Sequence, residues 1–459
     1  MHLKNQFTIL LLSFIIIIVI SLLNQTNFNI YAQSKQPQSI GDITVYDPNL
    51  TVELVTDEIK SPTSMAFLGP NDFLVLGKGG TVSRVTDGQM LQEPLLQLNS
   101  INSKDERGML GIDVLKQKGD NSGSSDTIPT YVFLYYTEGG GTGDKEGGGG
   151  QTTVRNHVYR YELVNNKLIN PLLLLDLPGN PGPAHQGGKV TIGPDNNIYV
   201  SIGDLRPTVF SEAEGKTKAQ NYADAVDPDG RAGILRVTPD GQVVNGKGIL
   251  GDQDPLNKYY AYGIRNSFGI GFDPVTGNLW ETENGPNHGD EINLVEPGFN
   301  GGWKQLMGMA SDYKGFDPNN DLVDFGGKGK YSDPEFEWID TVAPTAITFL
   351  NSDKLGMQYE NDIFVGSVKG GRIFNFDLND DRTELVLDNP LDDKVADTND
   401  ELEDITFAND LGTITDIEVG LADGYLYVVS FGNGAIYRII PGGDSNGING
   451  ASIPEEEED

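Results

Sequence analysis

One unit recurs six times along this chain of 459 residues. Each copy has an apolar strand, a turn of the Pro-Asp/Asn-Gly kind, a second strand, and a third strand that carries arginine before an apolar residue. Repeats of this kind indicate that neighbouring units bury each other's faces, and four-stranded units set radially make a β-propeller. We therefore expect an all-β chain folded as a six-bladed β-propeller. The first strands of the copies fall at residues 65–67, 109–114, 190–192, 269–272, 347–350 and 417–419.

The alternative is two stacked β-sandwiches, but no break in composition marks a boundary between two domains. The copies are unevenly spaced and mostly longer than the roughly 40–50 residues of plain propeller repeats, so insertions must lie between strands. A glycine-rich hairpin tip is expected at residues 139–150. A strand at residues 51–55 is expected to pair into the last blade and to close the ring.

The two ends of the chain are not expected to belong to the propeller. Residues 1–32 combine Lys4, an apolar run at 7–23 and Ala32, which resembles a secretory signal peptide. The apolar run is long for such a peptide, so a retained membrane anchor is the alternative. Either interpretation predicts an exported protein, whether extracellular, on the cell surface or periplasmic. We expect a linker at residues 33–42, the propeller at 43–440 and a disordered acidic tail at 441–459.

Composition excludes several classes of site. There is no cysteine, so a thiolate metal site and a cysteine nucleophile are excluded. There are only four histidines, which disfavours a multi-histidine metal centre. The formal charge of −35 would repel nucleic acid. It suits solubility or divalent cations, while an anionic cofactor would need a local cationic pocket or a bridging metal.

His185 is the strongest single candidate for catalysis. It lies in a Gly- and Pro-rich loop immediately before a repeat strand, where a propeller loop faces the central face. Its imidazole has an unperturbed pKa suited to taking a proton near neutrality. The alternative is a loop histidine bound only to backbone.

Arg265 and Asn266 precede the fourth inner strand. Arginine can hold a carboxylate or an oxyanion by two parallel hydrogen bonds. In a protein so rich in acids, a structural salt bridge is the alternative for this arginine.

The turn from Gly285 and Pro286 to Glu291 is rich in oxygen ligands. Backbone carbonyls and carboxylates suit a hard cation such as Ca²⁺, although no EF-hand spacing is present. His288 in the same loop is a poor ligand for Ca²⁺, and His157 fits a strand surface.

At these residues the chain resembles the soluble quinoprotein glucose/sorbosone dehydrogenase family, the aldose sugar dehydrogenases. The resemblance covers roughly residues 50–440 and depends on the order of several motifs, each of them weak alone. They are Glu106-Arg107-Gly108-Met109-Leu110-Gly111, His185-x-Gly187-Gly188 with Gly203-Asp204 after it, Ile234-Leu235-Arg236-Val237, Tyr262-Gly263-Ile264-Arg265-Asn266, Gly285-Pro286 with Gly289-Asp290-Glu291-Ile292-Asn293, Asn300-Gly301-Gly302-Trp303, Ala343-Pro344-Thr345 and Gly366-Ser367-Val368-Lys369-Gly370.

The resemblance implies that pyrroloquinoline quinone (PQQ) and Ca²⁺ bind on the central face, and that the C1 hydroxyl of an aldose is oxidised to a lactone. An external electron acceptor would then reoxidise the cofactor. By position, the resemblance implies these roles: His185 as general base, Arg265 beside the developing oxyanion, Asn266 and Lys369 on the cofactor, Glu106 on the sugar, Gly285 and Pro286 on the cofactor's Ca²⁺, and Glu291 with the backbone of Gly301 at a second Ca²⁺.

One departure from the family pattern concerns the cofactor. Members usually carry two arginines before the aspartate of the last inner strand, where they clamp cofactor carboxylates. Here Thr413 and Thr415 stand at those positions before Asp416. This favours a second hypothesis, a non-catalytic propeller that binds a protein or a glycan on its central face. Retention of His185, Arg265 and Lys369 favours the dehydrogenase.

Overall fold

The computed structural model describes residues 42–116, 130–139, 154–206 and 216–442. The expected signal segment, most of the linker, nearly all of the hairpin tip expected at 139–150 and nearly all of the acidic tail lie outside these residues. None of the helices among these residues has the length and apolar character of a membrane span.

Strands dominate the described residues and pair into six sheets, numbered here in chain order from sheet one. The strands are β1 (Thr44–Val45), β2 (Leu50–Thr56), β3 (Pro62–Gly69), β4 (Asp72–Gly77), β5 (Thr81–Thr86), β6 (Gln89–Met90), β7 (Leu96–Gln97), β8 (Met109–Lys116), β9 (Thr130–Glu138), β10 (Arg155–Val164), β11 (Lys167–Pro178), β12 (Val190–Ile192), β13 (Ile198–Ile202), β14 (Gly233–Val237), β15 (Tyr259–Tyr262), β16 (Ser267–Phe272), β17 (Leu279–Glu283), β18 (Asp290–Val295), β19 (Phe299–Asn300), β20 (Lys330–Tyr331), β21 (Phe336–Trp338), β22 (Pro344–Phe349), β23 (Ile363–Ser367), β24 (Ile373–Leu378), β25 (Leu385–Val386), β26 (Val395–Ala396), β27 (Thr406–Asn409), β28 (Ile414–Val419), β29 (Leu426–Ser430) and β30 (Ala435–Pro441).

Each sheet is built mostly from consecutive strands. Sheet one holds β3–β7, sheet two β8–β11, sheet three β12–β15 with β19 and β20, sheet four β16–β18 with β21 and β26, sheet five β22–β25 with β27 and β1, and sheet six β28–β30 with β2.

Helices in the described residues are short. They are the α-helices α1 (Pro318–Asp321) and α2 (Asn399–Asp404) and the 3₁₀ turns Lys218–Gln220, Val244–Gly246, Leu256–Lys258, Ala310–Asp312, Met357–Tyr359, Lys369–Gly371 and Leu391–Asp393.

The sheets form a closed ring. Six hydrophobic clusters each combine buried residues of two sheets that follow one another, and the last of them joins sheet six to sheet one. Ile436 of sheet six, for example, packs in one cluster with Met65 and Val75 of sheet one. The expectation of an all-β propeller is confirmed, and this arrangement excludes two stacked sandwiches.

The ring is closed by strands from both ends of the chain. β2 pairs antiparallel with β30, placing Val52 opposite Ile439, as expected for the strand at residues 51–55. β1 pairs instead with β27 of sheet five, which the repeat pattern did not predict.

The arginine of the repeat has a structural role that explains its recurrence. In sheet one Arg84, on the third strand, contacts Asp72 beside the preceding turn at 2.6 Å. In sheet six Arg438 contacts Asp423 in the same relative place at 3.0 Å. Each pair ties a third strand to the hairpin before it, on the outer part of the sheet.

The first strand of each sheet lies nearest the ring axis, and its two ends define two faces of the propeller. The loops before β8, β12, β16 and β28 reach one face, here called the upper face. Glu106, His185, Arg265 and Thr413 all lie in these loops. The sequence candidates therefore converge on the upper face.

Candidate active site

His185 forms a close pair with Asp204. Its Nδ1 lies 2.6 Å from Asp204 Oδ1, and both side chains are at least nine-tenths buried. The pairing follows from the fold, because His185 precedes β12, Asp204 follows β13, and these strands are antiparallel neighbours. Bonding at Nδ1 leaves Nε2 as the ring nitrogen that can accept a proton.

The backbone around this pair is tightly constrained. His185 has a φ of +58°, a left-handed conformation that is uncommon for a residue with a side chain. A Cβ on Gly203 would lie 2.4 Å from the carbonyl oxygen of His185 and 2.7 Å from that of Arg265. Glycine at 203 therefore lets the His185 and Arg265 loops approach each other.

Asp204 has two further hydrogen bonds besides the one to the imidazole. Trp303 Nε1 donates to its Oδ2 at 2.9 Å, and its own backbone N–H donates to the carbonyl of Arg265 at 2.8 Å. Burial alone would raise the pKa of Asp204, but the hydrogen bonds from His185 and Trp303 and the charge of Arg265 outweigh it, so the pKa lies below its usual value. Asp204 is therefore a carboxylate that can stabilise a protonated His185.

Arg265 places a cation beside this pair. Its Nη1 donates to the carbonyl of Asn284, and its guanidinium lies 5.3 Å from the centre of the Trp303 ring. Its Nε is buried and has no hydrogen-bond partner within the described part of the chain. Burial lowers the pKa of Arg265, while the charges of Asp204 and Glu283 oppose that shift. An arginine side chain stays protonated in proteins.

Glu106 and Asn266 link the loops of neighbouring sheets. Glu106 Oε2 accepts from the backbone N–H of His185 at 2.6 Å and from Nδ2 of Asn266 at 3.2 Å. Asn266 Oδ1 also accepts from the N–H of Gly187 at 3.3 Å. The carboxylate of Glu106 thus helps to fix the loop that carries the histidine.

The Gly285–Pro286 turn lies next to Arg265, because Arg265 contacts the carbonyl of the preceding residue, Asn284. The N–H of Gly285 donates to Asp290 Oδ1 at 2.8 Å. A Cβ on Gly285 would lie 2.0 Å from the carbonyl oxygen of His288, so only glycine fits this turn. Pro286 and His288 are exposed.

Lys369 lies beside the same turn. Its Nζ donates to the carbonyl oxygen of Thr341 at 2.5 Å, and its charge lowers the pKa of Asp290, whose net shift is upward because of burial. Asp290 in turn accepts from the N–H of Gly285. The expected cofactor lysine therefore stands at the rim of the upper face.

Thr413 and Thr415 are half-buried, and each forms a hydrogen bond with a backbone group elsewhere in the chain. The carbonyl of Thr413 accepts from the N–H of Phe431 at 2.8 Å, and the hydroxyl of Thr415 donates to the carbonyl of Pro62 at 3.4 Å. A cation that the sequence did not indicate lies nearby, since Lys78 Nζ is 5.8 Å from the centre of the Phe431 ring.

Glu291 belongs to a row of buried carboxylates that crosses three strands of sheet four. It is directly opposite Glu283 on β17 and Glu337 on β21. Its Oε2 accepts from Asn293 at 3.0 Å, and burial raises its pKa to about 8. A Cβ on Gly301 would lie 3.4 Å from Glu283 Oε2. Glu291 and Gly301 thus border the same acidic cluster, with Glu283 between them.

In the described ranges, no three His, Asp or Glu side chains are arranged to hold a metal ion. The Ca²⁺ ligands expected at Gly285 and Pro286 are backbone carbonyls, so this finding does not bear on them.

Sequence reasoning assigned no role to Asp204, Trp303 or Glu283. Asp204 could have been found from the hairpin, because a residue after β13 must lie beside one before β12. Trp303 gave no such signal, since it reaches Asp204 from a separate loop 99 residues away.

Together these groups can accept a proton at His185 Nε2, share the resulting charge with Asp204, and offer a cation for a developing negative charge. A β-propeller with this site on one face is suited to an enzyme that takes a proton from its substrate.

Comparison with known proteins agrees with this class. The family model for glucose/sorbosone dehydrogenase matches residues 59–438. Aldose sugar dehydrogenase YliI of Escherichia coli is 25% identical over 403 residues, covering 85% of this chain and 93% of that protein. The structure of a putative oxidoreductase (glucose dehydrogenase) from Thermus thermophilus superimposes with a TM-score of 0.62 at 25% identity, covering 85% of this chain and all of the other. The PQQ-bound aldose sugar dehydrogenase of Streptomyces coelicolor gives 0.58 at 22% identity, covering 85% and 98%.

The chain therefore belongs to the glucose/sorbosone dehydrogenase family, and the expectation of a sugar-oxidising oxidoreductase is confirmed at that level.

Proposed function

We propose that this protein is an exported PQQ- and Ca²⁺-dependent dehydrogenase that oxidises the C1 hydroxyl of an aldose to a lactone. The observation that carries the proposal is the buried His185–Asp204 pair with Arg265 beside it. Each of the six sheets is taken as one blade, and the shared upper face as the mouth of the active site.

The names of the relatives support this assignment. Besides the PQQ-bound Streptomyces enzyme, a segment covering 35% of this chain is 32% identical to quinoprotein glucose dehydrogenase B of Acinetobacter calcoaceticus.

The residues of the upper face fit an anionic cofactor. Arg265 has a buried Nε without a partner in the described ranges, and Lys369 and Lys78 place two further ammonium groups at the rim. An unpartnered buried donor is costly unless a ligand satisfies it. Arg265, Asn266 and Lys369 would hold the cofactor, with Thr413 and Thr415 at its edge in place of arginines.

In the reaction, His185 Nε2 takes the proton of the C1 hydroxyl, and Asp204 holds the imidazolium that results. When bound, PQQ would supply the two-electron acceptor for the hydride of C1. Arg265 would stabilise negative charge on the acceptor oxygen, and Glu106, fixed beside the histidine loop, would orient a sugar hydroxyl. An external electron acceptor would restore the cofactor.

Calcium has two proposed places. The carbonyls of Gly285 and Pro286 would hold the ion that acts beside the cofactor as a Lewis acid. Glu291 and the backbone of Gly301 would hold a second ion, next to the other buried carboxylates of the same row. Hard oxygen ligands of both kinds suit Ca²⁺.

Export is proposed from the leader-like residues 1–32, which would carry the propeller out of the cytoplasm, either released or tethered by a retained N-terminal anchor.

The test combines a cofactor titration with turnover. PQQ and Ca²⁺ are added to the purified chain, binding is followed by absorbance, and reduction of an artificial acceptor by aldose is measured. His185→Ala should abolish turnover while leaving the propeller folded. His157→Ala, in sheet two, where the ring also lies between carboxylates, those of Glu138 and Asp176, serves as the matched control. Wild-type turnover in His185→Ala would remove His185 from the mechanism.

A non-catalytic propeller that binds a glycan or a protein is the second candidate, favoured by Thr413 and Thr415 in place of arginines. It predicts that PQQ with Ca²⁺ fails to bind even at micromolar concentrations.

A further inference from the structure

Trp303 contacts both the carboxylate of Asp204 and the guanidinium of Arg265 in the proposed active site. Its indole N–H donates to Asp204 Oδ2 at 2.9 Å, and its ring face lies 5.3 Å from the Arg265 guanidinium. Asp204 uses its other oxygen for His185 Nδ1. One side chain thus fixes the orientation of the carboxylate and supports the cation.

Trp303 is itself held rigidly. It is 4% exposed, its backbone N–H donates to the carbonyl of Gly263 at 2.9 Å, and its carbonyl accepts from Asn221 Nδ2 at 2.9 Å. A Lys304 ammonium lies 4.4 Å from its ring centre. The indole therefore has little freedom to leave Asp204.

The other two tryptophans of the chain offer a direct contrast. Trp280 and Trp338 are also buried, at 0% and 1% exposed, but their indole Nε1 atoms have no hydrogen-bond partner among the residues that the structure describes. A buried indole N–H usually finds a partner. Among the described residues only the indole of Trp303 has one, and that partner is the carboxylate bound to His185.

We propose that Trp303 is a positioning residue, which sets the orientation of Asp204 and through it the tautomer and direction of the His185 imidazole, while its ring supports Arg265. Without the indole N–H, Asp204 Oδ2 would be left buried and unpaired. The carboxylate could then turn towards Arg265, away from the imidazole. A shift of about 1 Å in a catalytic group can cost on the order of a hundredfold in rate.

The inference rests on the proposed function only in taking His185 as the base, so its first test needs neither cofactor nor substrate. In the full chain labelled at tryptophan and histidine, NMR is recorded across pH. The Trp303 indole N–H signal should follow the His185 titration, whereas those of Trp280 and Trp338 should not. A Trp303 signal that ignores the titration would overturn the inference, and this measurement needs no variant to fold.

Trp303→Phe provides the second test, with Trp280→Phe as the matched control. The first should change the Nδ1–H tautomer preference of His185 in the cofactor-free protein, and the second should not. In turnover with PQQ, Ca²⁺ and aldose, Trp303→Phe should lower kcat by about one to two orders of magnitude. It should also raise the pKa of Asp204, because that carboxyl loses a hydrogen bond that lowers its pKa.

Trp303→Phe and Asp204→Asn together make a double-mutant cycle. In an Asp204→Asn background, Trp303→Phe should have little further effect on kcat, because the two side chains act as one unit. Equal effects in both backgrounds would overturn the positioning role. A wild-type protein that shows the NMR coupling but no turnover would contradict the proposed function and leave the positioning intact.

Discussion

Lys189 and Asp416 meet across the ring axis, with Nζ 2.6 Å from Oδ1, although 227 residues separate them in sequence. Lys189 lies just before the first strand of sheet three, and Asp416 is on that of sheet six, three places away in the ring. Asp416 Oδ2 also accepts from the Ser64 hydroxyl at 2.6 Å. Together the two contacts join sheets three, six and one at the centre of the ring, below the upper face.

Removing Lys189 should destabilise the protein strongly. Its side chain is 10% exposed and that of Asp416 is 1% exposed, so Lys189→Met leaves a buried carboxylate without its cation, at a cost of about 3–5 kcal/mol. Lys218→Met is the matched control, because its partner Asp227 is 84% exposed and such pairs contribute at most about 1 kcal/mol. Denaturant unfolding measures both. Equal losses would mean that the channel pair is no more important than a surface pair.

Glu418 should make stability fall as pH rises. Burial, opposed by Lys189, raises its pKa from 4.5 to about 7. The folded state therefore keeps a proton that the unfolded chain has lost, so stability decreases from about pH 4.5 to about pH 7. Glu418→Gln should flatten the dependence of the unfolding free energy on pH in that window. Glu360→Gln, at an exposed position, should keep the wild-type slope. An unchanged slope in Glu418→Gln would assign the dependence to other groups.

Asp204→Asn should impair catalysis without unfolding the propeller. The amide is the same size but cannot hold a protonated imidazole, so kcat should fall by about two to four orders of magnitude. Steady-state kinetics with saturating PQQ and Ca²⁺ measure this, with the thermal midpoint as the check on folding. Near-normal kcat would show that His185 works without its partner.

Restoring the missing cations should strengthen cofactor binding. Thr413→Arg with Thr415→Arg adds two charge-assisted contacts, each worth roughly 1.5–3 kcal/mol. If they add, the Kd for PQQ should fall by on the order of a hundredfold to ten-thousandfold. Absorbance titration measures it. No gain in affinity would mean that the cofactor, if bound, lies elsewhere or that Lys78 already serves the same carboxylates.

Calcium should stabilise the fold through Glu291. Binding to the native state adds about 2.7 kcal/mol when the free ion is at 100 times its Kd. The thermal midpoint should therefore rise with Ca²⁺ and fall with a chelator, and Glu291→Gln should weaken that response. Glu296→Gln, exposed just after the same strand, should retain it. A full response in Glu291→Gln would place the ion away from this cluster.

The fold could largely be predicted from the sequence, because each strand of the repeat shows its own alternation of apolar and polar residues and has its own turn. Even the closing strand at residues 51–55 was recognisable as an unpaired element in need of a partner. The pairing of β1 with β27 was not, since two residues are too short to form a pattern.

The site was accessible only in part. His185 and Arg265 could be selected by chemistry and by their place before inner strands, whereas Glu106 was selected only through the resemblance to the family. The contacts that give them a role, such as Trp303 to Asp204 or Glu106 to the His185 backbone, join loops 99 and 79 residues apart. Those pairings are set by how the sheets pack, and no local pattern encodes them.

The pairing of β2 with β30 also constrains how the molecule can assemble. Sheet six needs residues 50–56 and 435–441 at once, so five sheets can form while the chain is being made, but the last must wait for its final strand. Until then one side of sheet one stays uncovered, and the hydrogen bond between Ser64 and Asp416 has not yet formed. The upper face should thus be completed in a single late step of folding, and a protein truncated before β30 would be left with an open ring.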